Sequence, residues 1–90
     1  MTTLHMEVEV VSGVQGRMMQ AAQELESLLQ GLNGAVNGMQ GAWMGNSAQQ
    51  FEGEFQQWYS SANQLYQTLQ ELATALQREI TQWEETASTL

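Results

Sequence analysis

An apolar side chain recurs every three or four residues along almost the whole chain, and this repeat breaks only once, near the middle. The first stretch runs through Val11, Val14, Met18, Ala21, Leu25, Leu28, Leu32, Ala35 and Met39. The second starts at Ala48 and continues to the C-terminal part of the chain. An alternation of three and four is typical of a helix that packs along one stripe against another helix. The sequence therefore predicts an all-α chain of two long helices.

The break between the two stretches has the residues of a tight connection. Gly45 and Asn46 readily adopt turn conformations, and Ser47 with Gln50 has the spacing of a capping box at the start of a helix. We expect one domain over residues 1–90, with a first helix at about 11–41, a turn at 42–46 and a second helix at about 47–87.

Folding the chain at this turn gives an antiparallel helix-turn-helix hairpin in which the apolar stripes of the two helices face each other. The numbers of facing residues then add up to about ninety in every layer, as for Leu25 and Leu65. We call the facing residues the predicted seam. Its members are Val14, Met18, Leu25, Leu28, Leu32, Phe51, Phe55, Trp58, Leu65, Leu69, Leu72 and Leu76.

A second apolar stripe lies beside the predicted seam on both helices. It contains Met19, Ala22, Leu29, Val36, Tyr59 and Tyr66. An apolar stripe this wide indicates burial against more than one neighbouring helix, and small domains are marginal alone. We therefore predict that these six residues form a dimer interface and that two hairpins pair into a four-helix bundle. The second hairpin is either another copy of this chain or a different hairpin.

Four glycines recur with helical spacing at the end of the first helix, namely Gly31, Gly34, Gly38 and Gly41. Each costs about 1 kcal/mol relative to alanine inside a helix. Two interpretations remain open: a groove that admits the aromatic side chains of the second helix, or a frayed helix end.

Composition excludes several classes of function. The chain has no cysteine. It has ten glutamates, and Arg17 and Arg78 are its only lysine or arginine residues, so its net charge is −8. Nucleic acid and anionic membranes are disfavoured partners, because both need lysine or arginine to neutralise phosphate. His5 is the only histidine, and no metal-spaced cluster, phosphate loop or nucleophile motif accompanies it. We expect no enzyme, no cofactor and no metal.

The turn carries a family resemblance. Trp43-Met44-Gly45, followed by Ser47, Ala48 and Phe51, resembles the signature turn of the WXG-motif proteins, the ESAT-like or Esx-like substrates of bacterial type VII secretion systems. The central position of the motif, the chain length and the absence of Cys and Pro agree with that family. The resemblance covers the whole chain.

The resemblance implies a secreted or co-secreted protein that acts through protein–protein interaction, with another WXG-motif hairpin and the secretion ATPase as partners. It also implies that Trp43 and Gly45 belong to a surface that the secretion machinery recognises. The N-terminus has no basic and apolar signal segment, so we expect synthesis in the cytoplasm and export without a cleaved signal peptide. The alternative is a cytosolic adaptor or chaperone that binds a larger, toxin-like secreted partner.

One feature departs from the family pattern. Many members, or their partners, carry a tyrosine with an acidic residue four positions later. In this chain Tyr59 is followed at that spacing by Asn63, and Tyr66 by Gln70. We therefore expect export to require either a second, different subunit that supplies this part of the signal or a degenerate signal near Trp83 and Glu84.

Overall fold

The computed structural model describes residues 5–88, and these residues form two α-helices and no strand. Helix α1 spans Val8–Asn37 and helix α2 spans Asn46–Ser88. The helices pack antiparallel in a rod of 68 × 21 × 16 Å. This confirms the predicted all-α helical hairpin.

Helix α1 begins at Val8, one turn earlier than the sequence predicts. Val8 and Val10 alternate with glutamates in the sequence, a pattern typical of an extended segment, but both residues are helical. The Val11 amide donates to the Glu7 carbonyl over 3.0 Å and closes the first helical turn. An isolated extended segment is not stable without a neighbouring strand, and the described residues contain none. The helix is therefore the conformation that satisfies this backbone.

Helix α1 also ends earlier than predicted, at Asn37. Beyond it the chain forms tight turns, in which the Met39, Gln40 and Ala42 amides each donate to the carbonyl three residues back. Gly41 has a φ of +91° and Gly45 a φ of +113°, values that disfavour any side chain. These two glycines reverse the chain between the helices.

The predicted register agrees with the contacts between the helices. The Gln15 side-chain amide donates to the Ala73 carbonyl over 3.4 Å, and the Tyr66 hydroxyl donates to the Glu26 carboxylate. In both pairs the residue numbers add up to about ninety. The short turn fixes this register.

The predicted seam, however, is wrong about which residues the hairpin buries. Six of its members are exposed, among them Leu28 at 59% and Leu65 at 66%. The other four are Val14, Leu32, Trp58 and Leu72. Phe55 is buried as predicted, and Met18, Leu25, Phe51, Leu69 and Leu76 are half-buried. The buried core consists instead of Ala22, Leu29, Ala48, Phe55, Ala62, Ala73 and Ile80.

The reason is a rotation of both helices about their own axes. At several positions of the predicted seam the next residue in the sequence is buried instead. Leu29 takes the place of Leu28 in the interface between the helices, and Ala73 takes the place of Leu72. This rotation brings alanines of both helices inward, and small facing side chains let two helices approach closely. It also places Tyr66 within reach of Glu26, so that the half-buried phenol hydroxyl has a hydrogen-bond acceptor.

The same rotation corrects the predicted dimer interface. Ala22 and Leu29 are buried between α1 and α2, so they are unavailable to a second hairpin. The other four predicted interface residues are half-buried, namely Met19, Val36, Tyr59 and Tyr66. The stripe assigned to the partner is therefore mostly part of the intrachain core.

The glycines do not form a groove for the chain's own aromatic side chains. A Cβ at Gly31 or Gly34 would meet no atom within 4 Å, and one at Gly38 would meet only the carbonyl oxygens of Ala35 and Gly34. Gly31 and Gly34 also lie within α1, so they are not part of a frayed end. Nothing in the hairpin requires a glycine at these two positions.

Candidate interaction surfaces

The first candidate surface is the turn that connects the helices. The Trp43 indole nitrogen donates to the Ser47 hydroxyl over 3.2 Å, and the indole lies 5.6 Å from the Phe51 ring. These two contacts hold the indole over the start of α2, yet 43% of Trp43 is exposed. Gly45 reverses the chain directly before α2, and Met44 beside it is strongly exposed.

A row of aromatic rings continues from the turn into the hairpin. Phe51 lies 6.3 Å from Phe55, which in turn lies 5.8 Å from Trp58 and 5.9 Å from Tyr59. Ring pairs at these separations attract each other by about 0.5–1.5 kcal/mol beyond the burial of their surface. The position of Trp43 is therefore coupled, through Phe51, to the buried Phe55.

An open cavity of about 250 Å³ lies against the turn, and we call it the turn pocket. The residues that line it include Trp43, Gln40 and Glu52. Gln40 and Glu52 also line two adjoining cavities at this end of the hairpin. The surface around the motif thus combines an aromatic ring with hydrogen-bonding and acidic groups.

The second candidate surface is a row of exposed apolar side chains along the hairpin, which we call the apolar face. It consists of Val10, Val14, Leu28, Leu32, Trp58, Leu65 and Leu72. Each of the seven directly precedes a residue that is buried or half-buried. Each residue of an α-helix is rotated by about 100° around the helix axis from the next one, so a residue that precedes an inward-facing residue points to one flank of its helix. Because α1 and α2 are antiparallel, this flank lies on the same side of the hairpin in both helices. The seven side chains therefore share one side.

The opposite side of the hairpin is polar. There the Tyr66 hydroxyl bonds to Glu26, and a shallow cleft is lined by Met19, Gln67, Gln70, Glu71, Thr74 and Arg78. The pKa of Tyr66 is raised above 10.0 by its hydrogen bond to Glu26, then by burial and by the charge of that carboxylate. The hairpin is thus apolar on one side and polar on the other.

Residues 5–88 offer little for other kinds of chemistry. No group of histidine, aspartate or glutamate within them has the arrangement of a metal site. Neither of their two helices has an apolar stretch that would let it cross a bilayer.

Comparison with known proteins agrees with these features. A family model described as "Proteins of 100 residues with WXG", WXG100, matches residues 3–88. The chain belongs to this family. A crystal structure of the secreted protein EsxB from Bacillus anthracis matches with a TM-score of 0.83 and 28% identity, over 97% of this chain and 99% of that one. No curated protein matched the sequence.

The sequence pattern pointed to Trp43 and Gly45 but not to the rest of the turn pocket. Gln40 and Glu52 belong to no motif in the sequence, and only the chain reversal brings them to the same cavity. Six of the seven residues of the apolar face, all except Val10, were visible as part of the apolar repeat, but they were assigned to the predicted seam. Their exposure follows from the rotation of the helices, which the repeat alone does not determine.

Proposed function

We propose that this chain is a type VII secretion substrate, or one subunit of a substrate pair, that works by binding another helical hairpin. Membership of the WXG100 family and the likeness to secreted EsxB support this kind of function. We propose no catalytic role.

The observation that carries the proposal is the apolar face. Seven large apolar side chains are exposed on one side of this 90-residue chain, and exposed apolar patches of this kind commonly mark protein–protein interaction sites. Their burial against a partner would contribute about 1–2 kcal/mol for each side chain, before the entropy cost of association. A second hairpin with a matching stripe would cover this face and complete a four-helix bundle. The partner is a second copy of this chain or another WXG-motif hairpin.

We assign recognition by the secretion machinery, including its ATPase, to Trp43 and Gly45. The supporting observation is that the Trp43 indole is held in place and is still accessible. Tyr59 and Tyr66 lack the acidic residue of the second family signal. A second copy of this chain lacks that signal as well. In this proposal a partner subunit of different sequence supplies it for export, and the pair leaves the cytoplasm without a cleaved signal peptide.

Export in a competent host tests the proposal. Trp43→Ala should abolish export while helix content by circular dichroism stays close to that of the parent chain. Met44→Ala is the matched control, because it changes the neighbouring exposed residue at the variable position of the motif. Efficient export of Trp43→Ala, or equal loss with both variants, would contradict the recognition role.

The missing acidic signal favours a second candidate, an adaptor that stays in the cell and holds a larger secreted protein. Fractionation of the host culture with and without an intact secretion ATPase distinguishes the two. A substrate appears in the medium only when the ATPase is intact. An adaptor remains with the cells in both cases and co-purifies with its larger partner.

A further inference from the structure

We propose that the turn pocket binds an arginine side chain of a partner protein, with the guanidinium against the Trp43 indole and hydrogen-bonded to the Glu52 carboxylate. The inference rests on the proposed recognition role of the turn and names the chemistry that the turn recognises. It can be tested on the purified protein without any secretion system.

The indole is prepared for such a contact. Its nitrogen is occupied by the Ser47 hydroxyl, and one part of the ring packs against Phe51. The remaining surface of Trp43 is exposed and forms a wall of the turn pocket. A tryptophan ring is the best aromatic surface for a cation, and a fixed ring loses little entropy on binding.

Glu52 supplies a carboxylate without an opposing charge. Glu52 lines all three cavities at the turn end, as does Gln40, and no cation of the described residues pairs with Glu52. Arg17 and Arg78 both lie toward the other end of the rod, more than roughly 30 Å away by the rise of the helices. The turn end therefore has unneutralised negative charge beside an exposed aromatic ring.

These groups favour arginine over other ligands. An anion would be repelled by Glu52 and by the net charge of −8. A guanidinium is planar, so it stacks on an indole while its edge donates hydrogen bonds to a carboxylate and to the amide oxygen of Gln40. A lysine ammonium offers no flat surface to stack. The open shape and the volume of about 250 Å³ suit one side chain.

Proton NMR of the indole Nε1–H groups gives a direct test. The chain has three tryptophans, so Trp58 and Trp83 serve as internal controls. Titration with arginine amide should shift the Trp43 resonance saturably, in the millimolar range, and should leave the other two nearly unchanged. Citrulline amide has the same shape without the charge, and lysine amide has a charge without the plane. We expect both to bind more weakly than arginine amide.

Variants separate the pocket from the general acidity of the chain. Glu52→Gln should weaken arginine amide binding by about two- to fivefold, the size expected for one exposed ion pair. Glu54→Gln removes the same charge two residues away, outside the three cavities, and should change binding far less.

The proposal is overturned by equal shifts of all three indoles, by equal binding of citrulline amide, or by equal effects of the two variants. A failure of these titrations would leave the export role of Trp43 untouched. Loss of export by Trp43→Ala together with unchanged indole signals would show that the turn is recognised by other chemistry.

Discussion

Leu28 and Leu29 are neighbours of the same type that the fold places in different environments. Leu29 is 2% exposed between the helices, whereas Leu28 lies on the apolar face. Truncation of each to alanine removes the same atoms and changes helix propensity by the same amount. Any difference between the two variants therefore reports on position alone.

The expected difference is large. A buried leucine replaced by alanine costs about 2–5 kcal/mol, because the apolar contact is lost and a cavity remains. A folded chain of this length has a free energy of unfolding of about 5–13 kcal/mol. Leu29→Ala should therefore remove a large part of the stability. Leu28→Ala should change the stability of the single hairpin by about 0.5 kcal/mol or less, as exposed positions usually do.

Urea unfolding followed by circular dichroism, repeated over a dilution series, measures both effects. At the lowest concentration Leu29→Ala should unfold at much lower urea, and Leu28→Ala should match the parent chain. At high concentration Leu28→Ala should lose the stabilisation that association gives the parent. Equal destabilisation of the two variants at every concentration would refute the assignment of inner and outer stripes.

Two further predictions concern single positions in the hairpin. Gly34→Ala should raise the free energy of unfolding by about 0.5–1 kcal/mol, because Gly34 is helical and a Cβ there meets no other atom. Gly41→Ala should lower the free energy of unfolding, because Gly41 has a positive φ. The urea midpoints of the two variants, compared with that of the parent chain, test both predictions. The raised pKa of Tyr66 means that its bond to Glu26 stabilises the fold fully below pH 10, and that this contribution is lost as the pH rises through the raised value. Tyr66→Phe should flatten the alkaline loss of stability in urea titrations, and Tyr59→Phe is the matched control; an identical alkaline loss with and without the Tyr66 hydroxyl would contradict this role.

The sequence predicted the features that depend on spacing along the chain. The repeat and the short turn account for the two helices and their antiparallel arrangement. They also account for the register, in which Gln15 of α1 lies beside Ala73 of α2. Spacing does not determine rotation about the helix axis when two apolar stripes lie side by side. The rotation that the structure adopts buries Ala22 and Ala73 between the helices and brings Tyr66 to Glu26, and these are contacts across the helices that spacing along one helix does not contain.

The turn was predicted for a different reason. Trp43 and Gly45 were found through a motif, which needs no knowledge of packing. The residues that give the turn its chemistry, Gln40 and Glu52, have no sequence pattern, because Gln40 lies in the turns after α1, Glu52 lies in α2, and the two come to one cavity only after the chain reverses. Residues of this kind become visible only in the folded chain.

The two apolar stripes have a further consequence for how the chain assembles. A single hairpin buries only one of them, and it buries the one with alanines at Ala22, Ala62 and Ala73, which lets the helices approach closely. The larger side chains, such as Leu65 and Trp58, remain outside, where close approach of α1 and α2 cannot satisfy them. Bulky residues on a flat, unbroken face are better covered by a second rod that lies along the first than by any rearrangement of two helices. If the proposed pairing takes place, it would bury these larger side chains beside a core that already contains Leu29, Phe55 and Ile80.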